Sequence, residues 1–286
     1  MIDLHIHSNY SDGLFPVEQL AAIIKKSGLE YCSLTDHDTV DGVEKIINAL
    51  EGSEIKAIPG VELSAIYNER EIHILAYDFN INEVKKILKK KDEIVDQQKA
   101  KELDRARKLF IAHGFEVSHC LEIDNKNPAG LTIALDVFNN SKNQEKLLKI
   151  HGRSLSKNEF YDFYQAPGAP CFVARGGVGA EWIIKQFRKI ANDLILAHPL
   201  NAISFFPPLK LNDINNLINL GLDGVEIYHP DLNDAQIRML EKLVLKGKLK
   251  FTGGSDFHGK DDVRKIGFYS DGKIISCFRL SRFQSV

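Results

Sequence analysis

The first residues of the chain alternate between apolar and polar with the period of two that is typical of a β-strand. Ile2, Leu4 and Ile6 occupy one set of positions, and His5 and His7 occupy the other. If this segment is a strand, both imidazoles project from the same face and can chelate a metal ion. A His-x-His pair is equally compatible with an ordinary surface strand, so this pattern alone leaves both interpretations open.

Strand and helix patterns then alternate along the chain. Pro16 suits the first turn of a helix whose apolar stripe covers residues 17–24. Residues 31–34 predict a second short strand, and Asp41 can cap the following helix, whose apolar face lies within residues 43–50. Two consecutive strand-helix units of this kind predict an α/β fold.

A long charged helix interrupts this alternation after two further strands. The strands are predicted at residues 55–63 and 71–77, with a turn at residues 68–70 between them. From Ile81 onwards, apolar residues recur at helical spacing as far as a stop at Gly114. The segment that follows adds short helical pieces and prolines, but no strand that ends on a potential ligand.

The alternation of strands and helices returns in the last part of the chain. Strands are predicted at residues 171–173, 194–197, 224–228 and 249–252, and helices lie between them at residues 182–190, 209–220 and 235–245. We therefore predict three segments, which are the first part of a barrel at residues 1–80, a helical insertion at residues 81–170 and the second part of the barrel at residues 171–286.

Residue types that bind metals stand where the predicted strands end. In a barrel of parallel strands, the carboxyl ends of all strands open on one face, so these residues should converge from distant parts of the sequence. The convergence predicts a site for more than one metal ion. The residues concerned are His5, His7, Asp12, His37, Glu62, His73, His198, His229, Asp256 and His258.

Taken one at a time, several of these residues have a simpler structural explanation. His73 lies in an apolar run and could be a core histidine, and His198 precedes a proline and could be a turn residue. Asp36 and Asp38 could cap the following helix, so we leave both out of the set. These explanations do not account for the joint occurrence of so many potential ligands at strand ends.

Composition narrows the class of protein. With 286 residues, of which 44% are hydrophobic, the chain can bury the core of one barrel-sized domain. A formal net charge of −2 lacks the basic excess that drives non-specific nucleic-acid binding. The four cysteines are widely spaced, and we find neither a signal peptide nor an apolar span of about 20 residues. We therefore predict a cytoplasmic protein with no membrane association.

The residue types in the set define the chemistry. Histidines and carboxylates without thiolates suit zinc, manganese or iron. More such residues are present than the four that one tetrahedral ion needs, which implies more than one ion, and a bridging carboxylate is then expected. Two ions about 3.5 to 4 Å apart can polarise a phosphoryl oxygen and ionise a water molecule near neutral pH. This is the machinery of phosphate ester hydrolysis. The glycine-rich residues 176–179 lack the spacing of a dinucleotide fingerprint, and no P-loop motif is present.

Six motifs together resemble those of the polymerase and histidinol phosphatase (PHP) family, in its stand-alone phosphoesterase branch. They lie at residues 5–13, 34–38, 60–62, 73–75, 197–199 and 254–258. The resemblance covers nearly the whole chain. It implies a distorted (β/α)7 TIM-like barrel that holds two or three divalent metal ions (Mn, Fe or Zn) at the carboxyl ends of its strands, with the helical insertion covering the site.

The resemblance also implies which residues hold each ion. The first ion, at the catalytic centre, would be held by His5, His7, Glu62 and Asp256. The second would be held by Glu62, His73 and His198, with Glu62 as the bridge. The third would be held by Asp12, His37 and His258.

Substrate contacts are implied less completely. His229 and Arg175 match positions that contact a substrate phosphate in this branch. The branch usually carries an Arg-x-His-Ile-Ala stretch in the insertion, whereas residues 129–134 read Ala-Gly-Leu-Thr-Ile-Ala. One expected phosphate contact is therefore missing, which leaves the identity of the substrate open.

We predict a metal-dependent phosphoesterase that uses a metal-activated hydroxide. Its partner would be a small phosphorylated metabolite, best a nucleoside 3',5'-bisphosphate, or a short oligoribonucleotide attacked at its 5' end. The alternatives are a histidinol-phosphate phosphatase and a non-catalytic metal-binding interaction module. No stable protein partner is predicted.

Overall fold

The computed structural model describes residues 1–119, 121, 129–174, 176–201, 208–259, 265–269 and 273–274. The chain divides into two compact units. The first contains Met1–Tyr67, Glu71–Lys89 and Gly179–Val286, and the second contains Asn68–Arg70 and Lys90–Val178. The predicted segment boundaries at residues 80 and 170 stay predictions.

The first three strands form a parallel sheet in the order β1-β2-β3. The strands are β1 (Ile2–Ile6), β2 (Tyr31–Leu34) and β3 (Lys56–Ala57), and the helices between them are α1 (Val17–Lys26) and α2 (Val43–Leu50). Both helices were predicted from their apolar stripes and pack in one core through Leu20 and Ile46. Asp41 does not cap α2, because Gly42 occupies the N-cap position and Asp41 pairs with Lys85.

Five strands form the second sheet in the order β4-β5-β6-β7-β8. They are β4 (Gly60–Tyr67), β5 (Arg70–Phe79), β6 (Ala191–Leu196), β7 (Gly224–Tyr228) and β8 (Lys250–Gly253). The helices α7 (Ala180–Phe187), α8 (Leu211–Leu220) and α9 (Asp234–Gly247) precede β6, β7 and β8 in turn. These elements confirm the predicted alternation in the last part of the chain.

One strand departs from the predicted parallel arrangement. β5 runs antiparallel to β6, whereas β6, β7 and β8 are mutually parallel. The reversal follows a tight turn in which Asn68 and Glu69 both adopt positive φ angles, of 48° and 63°. His73 lies near the beginning of β5, and the reversal places this end of β5 beside the end of β6. The carbonyl of His73 therefore accepts a hydrogen bond from the N–H of Ala197, just after β6.

Two other strand predictions are wrong in part. Residues 55–63 do not form one strand, because the run is divided at Pro59, which has no N–H to donate. Residues 171–173 do not form a strand, since Cys171 and Val173 are buried in the core of the helical unit. Their apolar character therefore serves helix packing and not a sheet.

The described elements of the second unit are helices. The unit contains most of α3 (Ile81–Ala112), together with α4 (Ala129–Asn139), α5 (Ser141–His151) and α6 (Lys157–Tyr164). Its core is rich in aromatic side chains, among them Phe110, Phe115 and Phe160. None of the described helices is both long enough and apolar enough to cross a membrane.

Isolated bridges join the ends of the two sheets in the first unit. Ile6 at the end of β1 pairs in parallel with Phe257, just after β8, and His37, just after β2, pairs in parallel with Glu62 of β4. A further two-stranded antiparallel sheet consists of β9 (Phe268–Tyr269) and β10 (Lys273–Ile274). The fold is therefore mixed α/β, and strand ends from both main sheets lie side by side.

Candidate metal centre

All nine residues that the PHP resemblance assigns to metal ions lie in described parts of the chain, and they meet where the strands of both sheets end. Eight of them form overlapping groups whose ligand atoms lie within 4.8 Å of one another, and His198 adjoins these groups through Glu62 and His73. β1, β4 and β5 carry His5, Glu62 and His73 directly. The other six, which stand just after strands or in the loops that follow them, are His7, Asp12, His37, His198, Asp256 and His258.

The first group consists of four side chains on β1, on β4 and after β8. The Nε2 atoms of His5 and His7 lie 3.1 and 3.2 Å from Glu62 Oε2, and 3.4 and 3.2 Å from Asp256 Oδ1. Four ligands at 2.0–2.1 Å from a tetrahedral ion are separated from one another by about 3.3 Å. The observed separations therefore suit a shared metal ion.

The second group uses the other oxygen of Glu62. Glu62 Oε1 lies 3.0 Å from His73 Nδ1 and 3.1 Å from His198 Nε2, and these two nitrogens are 3.3 Å apart. Each oxygen of Glu62 thus faces a different set of ring nitrogens. This is the geometry that a bridging carboxylate requires.

The third group is more open than the first two. Asp12 Oδ1 lies 3.0 Å from His258 Nε2 and 4.0 Å from His37 Nε2. The other ring nitrogen of His37, Nδ1, lies 3.2 Å from Glu62 Oε2. His37 therefore faces the third group with Nε2 and Glu62 with Nδ1. Whether these nine residues ligate metal ions stays a prediction.

Several buried polar atoms at the centre have no hydrogen-bond partner among the described residues. They include His5 Nε2, His7 Nε2 and Glu62 Oε2, although these atoms lie close together. Buried polar atoms are normally hydrogen-bonded, and one left unsatisfied costs about 1–3 kcal/mol. Lone pairs that converge without hydrogen-bond geometry fit a cation, and this set of nitrogen and oxygen donors suits divalent transition metals.

The histidines around the two central carboxyl groups favour their ionised form. Burial raises the pKa of Glu62, but the imidazoles of His37 and His5 hold that pKa well below its usual range. Burial also raises the pKa of Asp256, and the charge of His5 with a hydrogen bond from His229 holds it well below its usual range. Both groups therefore present negative charge to a cation at neutral pH.

The histidines differ in their proton occupancy when no metal is bound. Burial lowers the pKa of His7, but its contacts with Asp256 and Glu62 raise that pKa to about 9. Burial likewise lowers the pKa of His73, and Glu62 raises it to about 10. Burial lowers the pKa of His37 to about 4 against the opposing charge of Glu62. Metal binding at neutral pH must therefore displace protons from His7 and His73.

His229 is fully buried beside the first group. The backbone N–H of Asp231 donates to its Nδ1 at 3.2 Å, so the ring proton belongs on Nε2, which lies 3.3 Å from Asp256 Oδ2. The structure thus places His229 where it can orient Asp256, and its contact with a substrate phosphate stays a prediction. Arg175 lies outside the described residues.

The structure assigns different roles to the two aspartates that we left out of the set. Asp36 accepts hydrogen bonds from the N–H and hydroxyl of Ser8 and from the hydroxyl of Ser11, and so orders the loop that carries Asp12. Asp38 accepts a hydrogen bond from the N–H of Ser64. The alternative of a helix cap is wrong for both, because α2 has no side-chain cap.

Sequence reasoning missed one buried residue at the centre, Glu226. It lies in β7 and is fully buried against His5 and His198. The available signal was a single carboxylate inside the apolar run Val-Glu-Ile at residues 225–227, because an ionisable residue in a buried strand needs a partner.

Close approach of the backbone also shapes the site. A Cβ added to Gly254 would lie 2.7 Å from the backbone nitrogen of His5, so only glycine lets the end of β8 pass β1 at this distance. Two of the predicted ligands, His198 and Asp256, adopt positive φ angles of 26° and 49°. Such conformations cost about 1–3 kcal/mol and are concentrated at functional sites.

Comparison with known proteins identifies related sequences and folds. A model of the family described as the PHP domain matches residues 3–161. A phosphoribosyl 1,2-cyclic phosphate 1,2-diphosphodiesterase of Eggerthella lenta is 27% identical over 274 residues, which cover 93% of this chain and 97% of that protein. A 5'-3' exoribonuclease of Haemophilus influenzae is 26% identical over 258 residues, which cover 90% of this chain and 89% of that protein.

A solved structure shares the fold. A protein from Bifidobacterium adolescentis, assigned as a metal-dependent phosphoesterase, superimposes with a TM-score of 0.63. The match covers 94% of this chain and 92% of that one, at 19% identity. The likeness at this identity concerns the fold alone.

Replacing Glu62 with glutamine should remove the bridge, because an amide nitrogen cannot ligate a metal ion. We expect Glu62→Gln to lose at least one ion per chain and at least about tenfold in activity, the lower end of the effect of an indirect ligand contact. Elemental analysis with an activity assay measures both, and the exposed Glu18→Gln is the control. A variant with full metal content and normal rates would remove Glu62 from the site.

Adding a methyl group at Gly254 should displace His5. We expect Gly254→Ala to bind metal more weakly and to lose about 1–3 kcal/mol of unfolding free energy, the usual cost of overpacking. Urea unfolding and metal titration measure these effects. The matched control is Gly179→Ala, because a Cβ at Gly179 meets no atom within 4 Å. Equal behaviour of the two variants would contradict the close approach.

The metal-free protein should lose stability as pH rises. His7 and His73 have folded pKa values of about 9 and about 10, above the unfolded value of about 6.5. The pairs of protonated His7 with Asp256 and Glu62, and of protonated His73 with Glu62, therefore stabilise the fold fully below pH 6.5. That stabilisation is lost as pH rises through 9 to 10. Thermal unfolding of chelator-treated protein at pH 7 and pH 10 measures the change. A Tm that stayed constant or rose would contradict these pKa shifts.

Proposed function

Because the chain belongs to the PHP domain family and is a hydrolase acting on phosphate esters, we propose that its substrate is a ribonucleotide, either a nucleoside 3',5'-bisphosphate or the 5' end of a short RNA. The names of the relatives support the substrate class, and the observation that carries the metal-dependent chemistry is Glu62, whose two oxygens face two separate sets of ring nitrogens. A carboxylate placed in this way supports a two-ion centre, which is the machinery for displacement at phosphorus.

The chain's own groups would hold two or three divalent ions. In the proposed assignment, the catalytic ion takes His5, His7, Glu62 and Asp256, the second takes Glu62, His73 and His198, and the third takes Asp12, His37 and His258. Bound there, the ions supply Lewis acidity that polarises a phosphoryl oxygen and lowers the pKa of water towards neutrality. Their identity among Mn, Fe and Zn is set by which metal the cell supplies as well as by the donor set.

The gradient of burial across the groups indicates how a substrate would enter. The side chains of His5 and His7 are fully buried, whereas those of Asp12, His37 and His258 are 49%, 27% and 17% exposed. A substrate phosphate would therefore approach from the third group. The buried first group keeps bulk water away from the opposite side, which strengthens the electrostatic contacts there.

The finer description of the fold also belongs to this proposal. The bridges from Ile6 to Phe257 and from His37 to Glu62 join the ends of the two sheets, which supports a closed and distorted (β/α)7 barrel. We retain the division into residues 1–80, 81–170 and 171–286. A cytoplasmic location and the lack of a stable protein partner stay predictions.

A second candidate substrate is a cyclic phosphodiester of phosphoribose. The Eggerthella lenta relative is named for this reaction, and the match covers 97% of its length. The Haemophilus influenzae relative is named as a 5'-3' exoribonuclease. Both names describe a phosphate ester on ribose, so ribose phosphate is the chemistry that the two substrates share. The two candidates differ in what is attached to the ribose phosphate.

A substrate panel tests the choice. It contains a nucleoside 3',5'-bisphosphate, the matching 5'-monophosphate, a short 5'-phosphorylated RNA, phosphoribosyl 1,2-cyclic phosphate and histidinol phosphate. We expect the bisphosphate or the RNA to be cleaved fastest. A tenfold preference for the cyclic phosphate would favour the second candidate, and a tenfold preference for histidinol phosphate would favour the histidinol-phosphate phosphatase alternative.

Arg175 and His229 are proposed to bind a phosphate that is not cleaved. A charge-assisted hydrogen bond contributes about 1.5–3 kcal/mol, which corresponds to about 10-fold to 150-fold in rate. We expect Arg175→Ala to slow cleavage of the bisphosphate by this factor and that of the monophosphate much less. The control is Arg153→Ala, because Arg153 is exposed and paired with Glu159. An equal effect on both substrates would exclude Arg175 from this role.

A further inference from the structure

We propose that Glu226 is a positioning residue that holds ligands of two metal ions at once. Its carboxylate is fully buried in β7 and faces one ligand of the first group, His5, and one of the second group, His198. The proposal rests on the metal centre of the proposed function, and it assigns a role to a residue outside the nine ligands.

The first contact determines which nitrogen of His5 is available. His5 Nδ1 lies 3.0 Å from Glu226 Oε1. An ionised carboxylate only accepts hydrogen bonds, so Nδ1 carries the proton and donates it. The nitrogen left for a metal ion is then Nε2, which faces Glu62 and Asp256. A carboxylate in this position orients the ring and raises the basicity of the ligating nitrogen.

The second contact holds a strained backbone. The N–H of His198 donates to Glu226 Oε2 at 2.9 Å, and His198 has a φ of 26°, which is unfavourable for a residue with a side chain. In this conformation its ring Nε2 lies 3.1 Å from Glu62 Oε1. Glu226 thus stabilises the peptide geometry that directs His198 to the second group.

Both oxygens of Glu226 are needed, which makes glutamine an informative replacement. A glutamine side chain has nearly the same shape, but it has one carbonyl oxygen and one NH₂ group. If the oxygen accepts from His5 Nδ1, the NH₂ group meets the N–H of His198, and two donors face each other. The reverse orientation disrupts the contact to His5 instead. Glu226→Gln should therefore weaken one metal group whichever way the amide is oriented.

The experiment combines zinc affinity with the protonation state of His5. Competition with a chromogenic chelator measures the affinity of the chelator-treated protein for Zn²⁺, and long-range ¹H–¹⁵N spectra of the ¹⁵N-histidine-labelled zinc form show which ring nitrogen carries the proton. We expect wild type to show a proton on His5 Nδ1 and Glu226→Gln to bind zinc about 10-fold to 100-fold more weakly. The matched control, Glu241→Gln, removes a carboxylate that bonds the Tyr228 hydroxyl and should leave both readouts unchanged.

The outcomes separate this inference from the proposed function. Wild type that binds no zinc would overturn the metal centre and the role of Glu226 with it. Wild type that binds zinc, with equal affinity in Glu226→Gln, would overturn the role of Glu226 alone. If Glu226→Gln does not fold, the wild-type spectrum decides, because zinc on His5 Nδ1 or a proton on Nε2 would contradict the proposal.

Discussion

The structure depends on the burial of negative charge at Glu62. Moving a carboxylate out of water costs several kcal/mol unless partners of opposite charge or metal ions surround it. Here ring nitrogens lie 3.0 to 3.2 Å from its two oxygens, and they come from four separate segments of the chain besides β4. The strand ends therefore have to lie close together around Glu62. The same arrangement of strand ends forms the candidate metal centre.

The antiparallel strand β5 shows how this requirement overrides a regular pattern. In a wholly parallel sheet, a residue early in a strand would lie at the face opposite to the carboxyl ends. The turn at Asn68 and Glu69 reverses the chain, so the beginning of β5 meets the end of β6 and His73 reaches Glu62. The exception to the alternation of strands and helices thus supplies a predicted ligand.

Groups around the nine predicted ligands determine how those ligands are presented. Glu226 contacts His5 and His198, His229 faces Asp256, and within the set itself the carbonyl of Asp256 accepts a hydrogen bond from His258 Nδ1 at 2.8 Å. Each contact leaves a ring nitrogen or a carboxylate oxygen directed at the centre. Substitutions at such positions should weaken metal binding, because an imidazole whose ligating nitrogen carries a proton cannot bind a metal ion through that nitrogen.

The sequence by itself determined most of the element types and the chemical class of the site. Alternation at residues 2–7 and apolar stripes at residues 17–24 and 43–50 depend only on local periodicity, and the nine predicted ligands were recognised from motifs. Only the tertiary structure decided the direction of β5, the burial of residues 171–173 in a helical core and the role of Glu226. These features depend on contacts between residues far apart in the chain, and an apolar run or a single glutamate has the same local pattern whichever partner it meets.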